Sequence, residues 1–141
     1  KNLPASHLSA YEADAYARWK GCRLPTEFEW EVSTASFDTP VDAPPSGMVP
    51  LHPAYSNGAT PQSNINDCLW QWTSSAYSAY PGYKTEEGTI GEYNGKFMAN
   101  QLVLRGGSFA TSPGHYRHSY RNFFYPQDQW QFTGVRLAKD L

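Results

Sequence analysis

Residues 105–132 read RGGSFATSPGHYRHSYRNFFYPQDQWQF, and the interpretation of the whole chain turns on them. They hold a Gly106-Gly107 turn, a run carrying Arg117 and Arg121, the pair Arg121-Asn122, and eight aromatics: Phe109, Tyr116, Tyr120, Phe123, Phe124, Tyr125, Trp130 and Phe132. The stretch is too aromatic for a solvated loop and too rich in Arg and Asn for a plain core strand. It is therefore expected to line a concave, half-buried site. A purely structural reading stands beside this one, because apolar burial is the commoner role of aromatic rings.

Working outward, a chain of 141 residues makes one domain with a real core. Aromatic content is high at 16% and charged content low at 17%, which excludes disorder and favours a loop-rich globular fold. A formal net charge of −2 offers no basic field for nucleic acid. No run approaches the ~18 apolar residues of a membrane helix, and no signal peptide opens the chain. A soluble, cytoplasmic protein is expected. Cys22 and Cys68 lack CxxC spacing and read as free thiols in a reducing compartment, with a single bridge left open.

Ser9-Ala10-Tyr11-Glu12 is a capping box that predicts a helix over 10–20, with Ala13, Tyr16, Ala17 and Lys20 on one stripe and Gly21 as its stop. After the extended bridge Arg23-Leu24-Pro25, Thr26-Glu27-Phe28-Glu29 is a second capping box, predicting a helix to about Ala35. Prolines 40, 44, 45, 50, 53 and 61, with Gly47 and Gly58, forbid a long helix or central strand over 38–66. Leu69 to Thr73 alternates as a short strand with Trp70 and Trp72 on one face. An aromatic loop follows through Tyr77, Tyr80 and Tyr83, and then a Gly-punctuated excursion over 86–95. Residues 101–105 form the best strand and 134–138 the last. The expected class is α+β, loop-rich, with two short helices and short antiparallel strands.

These residues also carry a family resemblance. Arg23-Leu24-Pro25-Thr26-Glu27, Glu29-Trp30-Glu31, Trp70-Gln71-Trp72-Thr73, Arg105-Gly106-Gly107-Ser108 and Gly134-Val135-Arg136-Leu137 resemble the formylglycine-generating-enzyme (sulfatase-modifying factor) domain, a C-type-lectin-like fold. Residues 91–98 (GEYNGKFM), Asn100-Gln101 and Tyr120-Arg121-Asn122-Phe123-Phe124 resemble, more narrowly, the C-terminal domain of ergothioneine-biosynthesis sulfoxide synthases of the EgtB type. The resemblance implies an enzyme that joins trimethylhistidine (hercynine) to a thiol, using O2 and non-haem Fe(II). It places the iron on three histidines of an N-terminal helical bundle with an HxxxH motif. This chain has only His7, His52, His115 and His118, none in that spacing. Residues 1–141 are accordingly expected to be the second half of the lectin-like domain, with the iron bound outside this chain. On that expectation a missing N-terminal segment or a second chain covers the faces of Trp30, Trp70 and the Leu102–Leu104 strand.

Carried over position by position, Asn122 matches a residue that holds the betaine, and Tyr93 one near its trimethylammonium group. In the actinobacterial branch an acidic residue and an Arg grip γ-glutamylcysteine. Phe124 and Asp128 stand at those places here, which favours free cysteine as the sulfur donor. That branch's proton-donating tyrosine aligns near Ile90 and is missing here.

The chemistry fits such a substrate on its own terms. A quaternary ammonium donates no hydrogen bond and is held by π faces, for which Tyr93, Tyr120, Phe123 and Phe124 are candidates. A carboxylate suits a planar Arg fork, from Arg117 or Arg121, although either could instead pair with Glu27, Glu29 or Glu31 inside the fold. His115 and His118 lack a third ligand and make a poor metal site. The lectin-like relatives carry a Glu where Gln71 stands, so calcium is allowed for near Trp70-Gln71-Trp72, at weakened affinity. Formylglycine generation itself uses paired cysteines late in the chain, unlike Cys22 and Cys68. A non-catalytic lectin-like binding or assembly module is the alternative from another class, and a related enzyme taking a different sulfur or selenium donor is a third.

Overall fold

In a computed structural model that describes residues 3–37, 53, 68–112 and 114–141, a small sheet lies between two helices. The proline-rich segment expected over 38–66 lies outside the described residues apart from Pro53. Helix α1 spans Ala10–Trp19 and α2 spans Glu27–Thr34, followed by a 3-10 turn at Ala35–Phe37. Both open on the predicted reciprocal caps, in which the Ser9 and Thr26 hydroxyls accept from the Glu12 and Glu29 amides and the two carboxylates return to the cap amides.

Strand β1 is Trp70–Ala76, helix α3 Thr89–Lys96, β2 Leu102–Arg105, β3 Asn122–Phe124 and β4 Thr133–Gly134. The sheet order is β3-β2-β1-β4, so β3 is an edge. Trp72 faces Leu104 and Gln71 faces Arg105 across the β1–β2 pair. Alternation then sends Trp72 and Leu104 to one side of the sheet, Gln71 and Arg105 to the other. The first side meets α1 through Ala10, Ala13 and Ala17, with Leu24 completing the core. The second meets α2, whose Trp30 indole N–H donates to the Gln71 Oε1 at 2.6 Å. Full burial of Trp72 and Leu104 contributes roughly 1.5–3 kcal/mol each.

Four expectations are corrected. The α1 core stripe is Ala10-Ala13-Ala17, while Tyr16 and Lys20 are exposed, because alanines let the helix lie close over Trp72 and Leu104. Residues 89–96 form a third helix rather than an irregular excursion. Its glycines disfavour helix, but Tyr93 and Phe97, one turn apart, make an edge-on ring pair at 5.0 Å, and Phe97 packs on Phe123 of β3. The strands are not all antiparallel: β4 is only Thr133–Gly134, paired parallel with β1, and Ala138 makes an isolated bridge to Arg23. Finally, Trp30, Val103 and Leu104 are buried by the chain's own helices, and Trp70 is half-buried. The large exposed rings lie elsewhere, at Trp19, Phe28, Tyr93 and Trp130. Cys22 and Cys68 are not joined in a disulfide. No described helix is long and apolar enough to cross a membrane.

Candidate functional site

The segment 105–132 folds back on α2 through charge. Arg105 at the end of β2 is fully buried, a costly place for a guanidinium that partners offset at its two terminal nitrogens, while its buried Nε has no hydrogen-bond partner among the described residues. It pairs with Glu31, donates to the carbonyls of His118 (3.1 Å) and Ser119 (3.2 Å), and lies over the Trp30 ring. These bonds pin the 115–120 loop beneath the sheet edge. Gly106, at φ +92, turns the chain out of β2 in a backbone conformation that favours glycine.

Arg121 stands next to β3 and takes the internal alternative. Its Nε and Nη2 donate to both oxygens of Glu27 at 2.8 and 2.9 Å, and Nη1 donates to the Ser78 carbonyl at 3.0 Å. The Tyr80 hydroxyl donates to the same carboxylate at 3.0 Å. The guanidinium stacks near the rings of Tyr77 and Tyr80, with centroids 4.9 and 4.2 Å away. Burial pushes the phenols of Tyr77 and Tyr80 above their ordinary range against the pull of Arg121. Arg121 is thus committed to the fold. Arg117, by contrast, is exposed, lies over Tyr120 at 5.8 Å, and has no carboxylate partner among the described residues.

The four aromatic candidates do not close into one cage. Phe123 and Phe124 are consecutive in β3 and point to opposite faces. Phe123 stacks on Tyr77 at 4.0 Å and meets Phe97, which carries Tyr93, so Tyr93-Phe97-Phe123-Tyr77 is one line of rings. Phe124 packs with the α1 core and meets Trp130 edge-on at 4.9 Å, while Tyr120 sits against Trp70 and His115. Asn122 is half-buried and, two residues from Phe124, lies on the same face of β3 as Phe124, opposite Phe123. Its Oδ1 accepts the Phe123 N–H at 2.9 Å, and its amide nitrogen has no hydrogen-bond partner among the described residues. The His115 and His118 pair does not converge on a metal: the His118 Nε2 donates to the Glu31 carbonyl at 2.7 Å. No group of three His, Cys, Asp or Glu comes together among the described residues. At the position considered for calcium, the Gln71 Oε1 already accepts from Trp30 and from Arg136.

The model of the sulfatase-modifying factor enzyme 1-like domain matches residues 1–40 and 65–141. The chain belongs to this family. Its α+β, loop-rich architecture is the C-type-lectin-like fold of the sulfatase-modifying factor domain. Among curated relatives it is 34% identical, over 98% of its length, to the hercynine oxygenase of Mycolicibacterium smegmatis. It is 33% identical, over 89%, to the ergothioneine biosynthesis protein 1 of Schizosaccharomyces pombe, and 30%, over 99%, to the formylglycine-generating enzyme of Streptomyces coelicolor. The chain spans 38%, 17% and 53% of those three proteins.

Sequence reasoning missed Tyr77, Tyr80 and Phe97 as neighbours of these residues, and named Glu27 only as one of three possible internal partners of an arginine. Glu27 carried a signal: Glu29 alone completes the capping box, so a second carboxylate in that turn was free for another partner.

Proposed function

We propose that the chain is the substrate-binding C-terminal part of a non-haem iron sulfoxide synthase. The enzyme joins trimethylhistidine to a thiol, cysteine, in ergothioneine biosynthesis. The observation that carries this reading is the Tyr120–Phe124 run on an edge strand, with the Asn122 amide nitrogen left as a donor beside it. Relatives named hercynine oxygenase and ergothioneine biosynthesis protein support it.

On this reading the amide of Asn122 donates to the betaine's carboxylate or imidazole. Because β3 is an edge, a ligand along its free side meets Asn122 from one face and the Phe123 line, ending at Tyr93, from the other. Those π faces suit a trimethylammonium group. Arg117, which has no carboxylate partner among the described residues, receives the carboxylate of a substrate. Phe124 and Arg121 shape the strand rather than touch the ligand. Iron(II), when bound, supplies O2 activation. The described residues do not fit it, and its ligands are assigned to residues outside this chain.

The test is Asn122→Ala in the full-length protein. The Michaelis constant for trimethylhistidine is expected to rise by roughly ten-fold, as for a lost hydrogen bond to a charged group, with iron content unchanged. Unchanged kinetics with the betaine, or a full-length product without iron, would sink the assignment.

A further inference from the structure

We propose that Glu27 is a positioning residue for Asn122, acting through Arg121 and Tyr80 on a strand that it never touches. The proposal rests on the reading of Asn122 given above. Glu27 opens α2, yet its carboxylate is turned inward and the residue is only 2% exposed. A buried carboxylate is unfavourable unless its oxygens are fully engaged, so an arrangement that engages them is held closely. Here three donors converge on it, Arg121 Nε and Nη2 and the Tyr80 hydroxyl, and Arg105 Nη1 lies 3.8 Å away. The backbone amide of Glu27 is also fixed, donating to the Ser75 hydroxyl at 2.9 Å.

The strand that receives this anchoring needs it. β3 is three residues long and, among the described strands, has a neighbour on one side only. Short edge strands open most readily, since few bonds hold them. Arg121 immediately precedes Asn122, and its guanidinium is fixed on three counts: the bidentate carboxylate, the Ser78 carbonyl, and the rings of Tyr77 and Tyr80. Two elements distant in sequence, the start of α2 and the 77–80 loop, thereby set the height at which the Asn122 amide meets a ligand. Misplacement of a binding group by about 1 Å can cost on the order of a hundred-fold in rate. Loss of the Glu27 charge therefore reaches Asn122 without removing any ligand contact.

The experiment is a double-mutant cycle in the full-length, iron-loaded protein, using Glu27→Gln and Asn122→Ala and reading the Michaelis constants for trimethylhistidine and for cysteine separately. Glu27→Gln is expected to raise the constant for trimethylhistidine by about ten-fold and to leave that for cysteine within about two-fold. The double variant should be no worse than Asn122→Ala alone, because once the Asn122 amide is gone Glu27→Gln has no contact left to misplace. Tyr80→Phe, which deletes one hydroxyl, should shift the same constant in the same direction by a smaller factor, and it carries the test if Glu27→Gln does not fold. If the two losses multiply, or if Glu27→Gln or Tyr80→Phe affects both substrates alike, the proposal is overturned while the Asn122 reading stands. If Asn122→Ala is itself silent, both fall.

Discussion

Replacing Gln71 by Leu tests the buried polar pair that joins α2 to the sheet. The Gln71 Oε1 accepts the Trp30 indole N–H at 2.6 Å and the Arg136 Nε at 2.9 Å. Trp30 is 1% exposed, so its N–H has no route to water once the acceptor is gone. An orphaned buried donor costs about 1–3 kcal/mol. Arg136 is half-buried and can regain solvent, so its share is smaller, and the added apolar burial of Leu returns up to about 1 kcal/mol. The net expectation is a loss of about 2 kcal/mol in urea unfolding of the 141-residue chain, with an unchanged slope. Gln71→Glu keeps the acceptors and adds charge opposite Arg136, and it should fall within about 1 kcal/mol of the parent. The decisive comparison is Trp30→Phe/Gln71→Leu, which removes donor and acceptor together and should cost clearly less than the two single changes summed. Strict additivity, or a Gln71→Leu cost below about 0.5 kcal/mol, would refute the reasoning.

Two further outcomes follow from the geometry. Hydrogen bonds from Arg23, reinforced by Thr26, hold the Glu29 carboxyl down at about 2. A depressed carboxylate adds stability above its unfolded pKa near ~4.3 and loses it as pH falls toward 2. Arg23→Met should therefore unfold earlier than the parent at pH 6, with the gap between their urea midpoints narrowing as pH falls toward 2. A gap that is constant with pH would contradict this. At Gly91 a β-carbon would lie 1.9 Å from the Glu86 carbonyl oxygen, so Gly91→Ala must displace the start of α3. It should cost about 1–3 kcal/mol and speed proteolysis over 84–96, whereas unchanged digestion would show that α3 can shift freely.

What was legible beforehand is what is local. Both capping boxes lie within four residues, and the hydroxyl–carboxylate exchange they imply is the one observed. The apolar run at Leu102–Leu104 likewise named its own strand. The parallel β1–β4 pairing was not legible, because two residues carry no period. Helix α3 was hidden for a related reason: Gly91 and Gly95 argue against helix locally, and the contact that outweighs them, Phe97 on Phe123, joins distant segments. At the candidate site, Asn122, Phe123 and Phe124 share one short strand, while the rings named with them divide between separate contacts. Their division was already implicit in strand alternation, since Phe123 and Phe124 cannot share a face.

That division bears on how one short strand serves a ligand. On the α1 side, Phe124 joins the close-packed alanine layer and fixes the depth of β3 against the core. On the α2 side, Phe123 stacks on Tyr77, whose ring also lies beside Arg121. The two consecutive phenylalanines thus hold the strand from above and below, and Glu27 holds its N-terminal end through Arg121. Asn122 is the residue of β3 whose amide nitrogen these anchors do not use. An edge strand held at three points, with one donor left over, presents that donor at a defined height and angle. On the function proposed above, a substrate whose other end is a hydrogen-bond-free cation rests that end against the ring line from Phe123 to Tyr93, as a betaine does and an ordinary amino acid does not.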